Sequence, residues 1–215
     1  MLLVPKKSFL ISIMILSLSV AQSYKNESAH GLGNYNVPFF KADSYHPNVQ
    51  PPNEFLGFAL GSRPVHHYEV IDYFNYLEKL LDNITLTEYG YTYEGKPLIY
   101  LMISSKKNMA NIENIKKSIS LLADPRKLNN SQSASKIIKN TPAVAWMAYS
   151  IHGDEISSTD AAVQLAYQLA AGTDPATKNI LKELVISIDP TENPDGRERY
   201  LQQLLQWRGE IVNSD

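Results

Sequence analysis

Two adjoining stretches decide the reading of this chain: Ala143-Val144-Ala145-Trp146-Met147-Ala148 and Ser150-Ile151-His152-Gly153-Asp154-Glu155. The first is an unbroken apolar run. At that length, with no polar alternation, it fits a β-strand buried on both faces. After the second, Ile156, Val163, Ala166, Tyr167 and Ala170 recur at helical spacing until Gly172. A strand that bends into a helix places the bend at the carboxyl end of the strand, which is where open α/β sheets hold ligands. His152 and Glu155 both lie on this bend, three residues apart, so an imidazole and a carboxylate can turn toward one cation. Zinc accepts both donor types and needs no sulfur.

Downstream, a short helix over about 175–183 leads to a second apolar run, Leu184 to Ile188. Strand, helix and strand in that order argue for an α/β fold, a mixed sheet flanked by helices. Upstream, Val70, Tyr73, Phe74, Leu77 and Leu81 define one face of a helix over 68–82. Two strands follow, over about 85–92 and 98–103, joined by the tight turn Tyr93-Glu94-Gly95-Lys96. Ile112, Ile115, Ile119 and Leu122 predict a helix over 111–122, with Pro125 just beyond its end. Residues 123–141 are polar and rich in Ser, Asn and Lys. They read as a surface loop with room for one helical turn. Residues 24–64, rich in Pro, Asn, Gly and Tyr, read as an irregular lead-in.

Composition narrows the chemistry. The net charge is -2 and charged residues make up 20% of the 215, so no basic balance points to nucleic acid. There is no cysteine, which rules out disulfides and thiolate metal sites. Any metal must therefore be held by carboxylates and by histidines drawn from His30, His46, His66, His67 and His152. At the N-terminus, Lys6 and Lys7 precede the apolar run Phe9 to Val20 and the small-residue site Ala21-Gln22-Ser23. This predicts a signal peptide over 1–23 and a secreted or periplasmic protein with no membrane span after cleavage. Asn26, Asn83 and Asn129 begin glycosylation acceptor patterns.

His-x-x-Glu alone is a weak signal. His66-His67-Tyr68-Glu69 contains it too, and there Glu69 reads as a first-turn acid against the helix dipole. Taken alone, His152 is equally a hydrogen-bonded histidine at a strand end. Asn193-Pro194-Asp195-Gly196, after the second apolar strand, reads by itself as a turn.

In order, however, these pieces resemble the zinc carboxypeptidase family typified by carboxypeptidase A. The likeness rests on a strand ending in Ser150 to Glu155, a helix, then a strand ending in Asn193 to Gly196. Tyr89-Gly90-Tyr91-Thr92-Tyr93-Glu94-Gly95-Lys96-Pro97-Leu98 looks like the hairpin that opens that catalytic domain. The resemblance covers about 64–215 and implies a zinc-peptidase/phosphorylase-like fold over 65–215. It implies that His152 and Glu155 are two of three zinc ligands. It further implies that Arg208, after Trp207, polarises the scissile carbonyl and steadies the oxyanion, with Arg197 and Arg199 as rivals. The implied substrate is a peptide or protein C-terminus. Relatives in the family also cleave amide bonds of cell-wall peptides.

The family pattern also calls for a third ligand histidine, an Asn-Arg pair and a general-base glutamate downstream. No histidine follows His152, and no Asn-Arg pair occurs in the chain. The expectation is a catalytic domain truncated at its C-terminus, weak in metal binding and inactive alone, with an unpaired sheet edge. The competing expectation is a non-catalytic member that binds peptide or cell-wall fragments.

Overall fold

The computed structural model describes residues 45–128 and 131–207. The predicted signal peptide, residues 24–44 of the lead-in, Asn26, Asn129 and Arg208 lie outside the described residues. Among the described residues the elements are helix α1 (Pro52–Leu56), helix α2 (His67–Leu80), strands β1 (Ile84–Tyr91) and β2 (Pro97–Ile103), helices α3 (Lys106–Ala110), α4 (Ile112–Ala123) and α5 (Ser131–Asn140), strand β3 (Ala143–Ala148), helices α6 (Ser157–Ala171) and α7 (Pro175–Glu183), strand β4 (Leu184–Asp189) and helix α8 (Pro194–Trp207). None of these helices is long and apolar enough to cross a membrane.

The fold is α/β, with one mixed sheet in the order β1-β2-β4-β3. β1 and β2 form an antiparallel hairpin, from Ile84 opposite Ile103 to Tyr91 opposite Pro97, with a bulge between Glu88 and Gly90. The turn closes as the sequence predicts. Thr92 N–H donates to the Lys96 carbonyl at 2.8 Å, and Gly95 takes the left-handed conformation, φ 79°, that favours glycine. β4 pairs antiparallel with β2 and parallel with β3, the latter running from Ala143 opposite Leu184 to Ala148 opposite Asp189.

The core lies on one face of this sheet. Val70, Tyr73, Phe74 and Leu77 of α2 pack with Ile99, Leu101 and Ile103 of β2, Ile186 and Ile188 of β4, and Ala162, Val163 and Ala166 of α6. These residues keep the helical and strand periods that the sequence shows. Val49 and Leu60, from the lead-in, are buried in the same core, and Phe55 and Leu56 of α1 pack against it.

Three sequence expectations are overturned. First, β3 is not buried on both faces: Val144 is 50% and Trp146 62% exposed. It pairs with β4 alone and forms an edge of the sheet among the described residues, and five of its six residues are exposed. Second, the region 123–141 is not mostly loop, because Ser131–Asn140 is a ten-residue helix. Its apolar content is only Ala134, Ile137 and Ile138, but these recur at helical spacing and α5 packs beside α4. Third, Asn193 to Gly196 is not a free turn but the first turn of α8. The Asn193 side chain accepts from Gly196 N–H at 2.9 Å, and Arg197 N–H donates to the Asn193 carbonyl at 3.1 Å. Asn at the cap followed by Pro in the first helical position is a start signal that a turn reading overlooks.

At the acceptor pattern of Asn83, the side-chain amide donates to the Ser104 carbonyl at 2.9 Å.

Candidate active site

β3 and β4 lie side by side and parallel, so their carboxyl ends open at the same end of the sheet. Beyond them the two chains stay in register. Tyr149 N–H donates to the Asp189 carbonyl (3.0 Å), Glu192 N–H to the Tyr149 carbonyl (2.9 Å), and Asn193 N–H to the Ser150 carbonyl (3.1 Å). The bend at Ile151 to Glu155 is therefore an extension of the sheet pairing rather than a free loop.

The bend closes on itself through Glu155 N–H to the His152 carbonyl at 3.3 Å and Ile156 N–H to the Asp154 carbonyl at 3.0 Å. His152 and Glu155 are both exposed. Gly153, between them, lies against the first turn of α8. A Cβ added there would stand 2.2 Å from the Gly196 carbonyl carbon and 2.6 Å from the Arg197 nitrogen. Asn193 completes the joint, with its Nδ2 donating to the Ile151 carbonyl at 3.2 Å.

The hairpin meets the same place. Asp195 accepts from Thr92 Oγ1 at 2.8 Å, from Glu94 N–H at 3.1 Å and from Lys96 Nζ at 2.9 Å. Those donors hold its carboxyl below the usual carboxylate range, against the opposing pull of burial. The three segments that the sequence pattern associates therefore converge on the N-terminus of α8.

Two of the three candidate arginines lie among the described residues. Arg197 is fully buried, donating to the Val65 carbonyl (3.1 and 2.8 Å), the Ile156 carbonyl (2.8 Å) and Asp160 Oδ1 (3.1 Å). It ties the strand-to-helix bend to the segment before α2 and presents no donor to a substrate. Arg199 is exposed and paired with Glu94 of the hairpin turn. The other His-x-x-Glu copy is occupied internally. Glu69 accepts from both Arg63 guanidinium nitrogens (3.0 and 2.5 Å) and from His66 N–H (2.8 Å), and His66 Nδ1 meets Glu198 at 2.8 Å.

Two further residues at the strand ends carried no sequence signal. Ser150 has φ 55°, the left-handed region, and its buried hydroxyl has no partner among the described residues. Asp189 is 1% exposed, accepts from the Tyr89 hydroxyl at 2.7 Å through Oδ2 and leaves Oδ1 unpartnered. Burial raises its pKa above the ordinary carboxylate value, and Glu192 adds to the shift. Tyr89 comes from the far edge of the sheet and reaches Asp189 across β2, a pairing that periodicity along one strand does not reveal.

A family model described as zinc carboxypeptidase matches residues 70–214. This chain belongs to the zinc carboxypeptidase family. Similar solved structures include thrombin activatable fibrinolysis inhibitor (17% identity, TM-score 0.46, covering 65% of this chain and 28% of that one). A carboxypeptidase A from Helicoverpa armigera matches at 19% identity and TM-score 0.47, over 69% of this chain and 32% of its own. A metallo-carboxypeptidase from Burkholderia cenocepacia matches at 17% identity and TM-score 0.42, over 62% and 28%. This chain thus spans less than a third of the length of these three structures. No curated protein matches.

Zinc is the metal of the zinc carboxypeptidase family, and the donors on the bend fit it as a partial set. His152 and Glu155 supply one nitrogen and one carboxylate from a single turn, and neither side chain is engaged by another described residue. Among the described residues no group of three or more His, Asp or Glu side chains converges to hold a metal.

Proposed function

We propose that this chain carries part of the active site of a secreted or periplasmic zinc metallocarboxypeptidase, which removes residues from the C-terminus of peptides or proteins. His152 and Glu155 are two of its three zinc ligands, and Arg208, which follows Trp207 in sequence, steadies the oxyanion. The observation that supports this best is the backbone contact of Gly153 with Gly196. It brings the His-x-x-Glu bend and the start of α8 together at the carboxyl ends of two parallel strands, where α/β sheets hold ligands.

At such a site zinc supplies Lewis-acid polarisation of a carbonyl and acidification of water. The role of the chain's own residues is to present one imidazole and one carboxylate in fixed relation. Arg208 follows Trp207 in sequence and supplies a guanidinium, a group that binds developing negative charge with two parallel hydrogen bonds.

The test is release of C-terminal residues from peptides by the product of the full reading frame. Activity should be abolished by chelation and by His152→Ala, and Arg208→Ala should lower turnover more than substrate affinity. Full activity in His152→Ala would refute the proposal. Peptide or cell-wall binding with no hydrolysis in the parent would point to the non-catalytic reading.

A further inference from the structure

Asn193 uses every polar group it has at the junction of the two motifs. Its backbone N–H holds the Ser150 carbonyl (3.1 Å) and its Nδ2 holds the Ile151 carbonyl (3.2 Å). Its Oδ1 caps α8 through Gly196 N–H (2.9 Å), and its carbonyl accepts from Arg197 N–H (3.1 Å). The two bonds to the bend end immediately before His152. The cap bond fixes Gly196, and the Gly196 backbone is the surface on which Gly153 rests. One side chain thus sets both walls of the turn that carries His152 and Glu155.

We propose that Asn193 is a positioning residue for this bend. Its Nδ2, through the Ile151 carbonyl, holds the backbone of the turn that carries His152 and Glu155. The amide touches neither donor. It acts as outer-shell groups do around metal ligands, whose loss typically lowers metal affinity 10–100-fold. The consequence for metal binding rests on the function proposed above, whereas the hold on the backbone does not.

Asn193→Asp separates capping from positioning. Aspartate caps a helix as well as asparagine does and suits the helix dipole. It also replaces the Nδ2 donor with an oxygen facing the Ile151 carbonyl. Asn193→Ser keeps a cap acceptor with no donor toward Ile151, and serves if the aspartate variant folds poorly. Two readouts on the whole chain decide the question. By amide hydrogen exchange, Glu155 and Ile156 should exchange about tenfold faster in the variant, with the β4 amides from Val185 to Ile188 unchanged. By zinc titration, affinity should fall about 10–100-fold.

Unchanged exchange at Glu155 and Ile156 would overturn the proposal. So would an increase shared equally by the β4 amides, because that is the signature of a general loss of stability. The exchange readout needs no metal, so it decides the positioning role even if the parent holds no zinc. Failure of the parent to bind zinc would count against the proposed function alone.

Discussion

Gly153 and Gly196 stand backbone to backbone, and a Cβ on Gly153 would lie 2.2 Å from the Gly196 carbonyl carbon. No side chain can yield there, because both contacting groups are main chain. Gly153→Ala must therefore push the bend off α8 or tilt the helix. Overpacking of this kind costs about 1–3 kcal/mol. Urea unfolding should show that loss. An alanine variant as stable as the parent would mean that the two motifs are not in contact.

Ser150 pays for its position differently. At φ 55° it adopts a backbone that costs an L-residue about 1–2 kcal/mol and glycine almost nothing, and its hydroxyl is buried without a partner among the described residues. Glycine returns about 0.5–1 kcal/mol of this through its freer unfolded chain. Ser150→Gly should stabilise the chain by about 1 kcal/mol, read as a higher urea midpoint at unchanged slope. Ser150→Val, β-branched at the same φ, should lower the midpoint.

The fold was legible in the sequence where burial follows a local period. Val70, Tyr73, Phe74 and Leu77 stripe α2, Val163 and Ala166 stripe α6, and all are fully buried. β3 was misread because an apolar run reports what a strand can bury, not which neighbours it has. Ala143 to Ala148 sits at an edge among the described residues, with the Trp146 ring 6.4 Å from that of Tyr100 between centroids. The pairing of the bend with Asn193 to Gly196 was visible as an ordered pattern. Its cause was not, because Gly153, Gly196 and Asn193 meet through backbone groups some forty residues apart in sequence, and no side-chain period encodes that. The burial of Arg197 was equally hidden. As a sequence it is one of three arginines at Arg197, Arg199 and Arg208, and no local period marks it as the buried one.

Arg197 should be the most sensitive charged position described. Its guanidinium satisfies the Val65 and Ile156 carbonyls and Asp160, whose own Oδ1 also accepts from Val65 N–H at 3.0 Å. Removing it with Arg197→Met strips the largely buried Asp160 carboxylate of its ion-pair partner and leaves two carbonyls without their donors. Breaking a buried pair from one side costs about 3–5 kcal/mol. Arg197→Lys should rescue little, because a single ammonium cannot reach three acceptors set around a planar fork. Thermal unfolding of the two variants beside the parent checks both statements.

Asp189 makes stability depend on pH in the sense opposite to most carboxylates. Burial raises its folded-state pKa, so the folded chain holds the proton more tightly than the unfolded chain does. Its contribution is fully present below the unfolded value, roughly 3.9, and is lost as pH rises through the higher folded value. Asp189→Asn has no proton to lose and keeps an oxygen for the Tyr89 hydroxyl. The variant should therefore gain on the parent as pH rises from acid to neutral, measured by urea unfolding at each pH. A gap that stays constant with pH would show that Asp189 is not shifted.

The exposed edge of β3 carries its own consequence. From Thr141 to Ile151 the chain has no charged residue, and between Ala143 and Ala148 it has neither proline nor bulge, the usual devices that keep edge strands from pairing. Val144 and Trp146 are exposed on this strand, which pairs with β4 alone among the described residues. The chain should therefore self-associate as its concentration rises. Val144→Lys places a charge on that edge without touching the core, since Val144 is half exposed and only Ala145 of the strand packs against the core cluster. It should suppress association while leaving the unfolding midpoint within about 0.5 kcal/mol of the parent. Light scattering across a concentration series distinguishes the outcomes: a parent that stays monodisperse, or a lysine variant that associates equally, would mean that some other surface governs self-association.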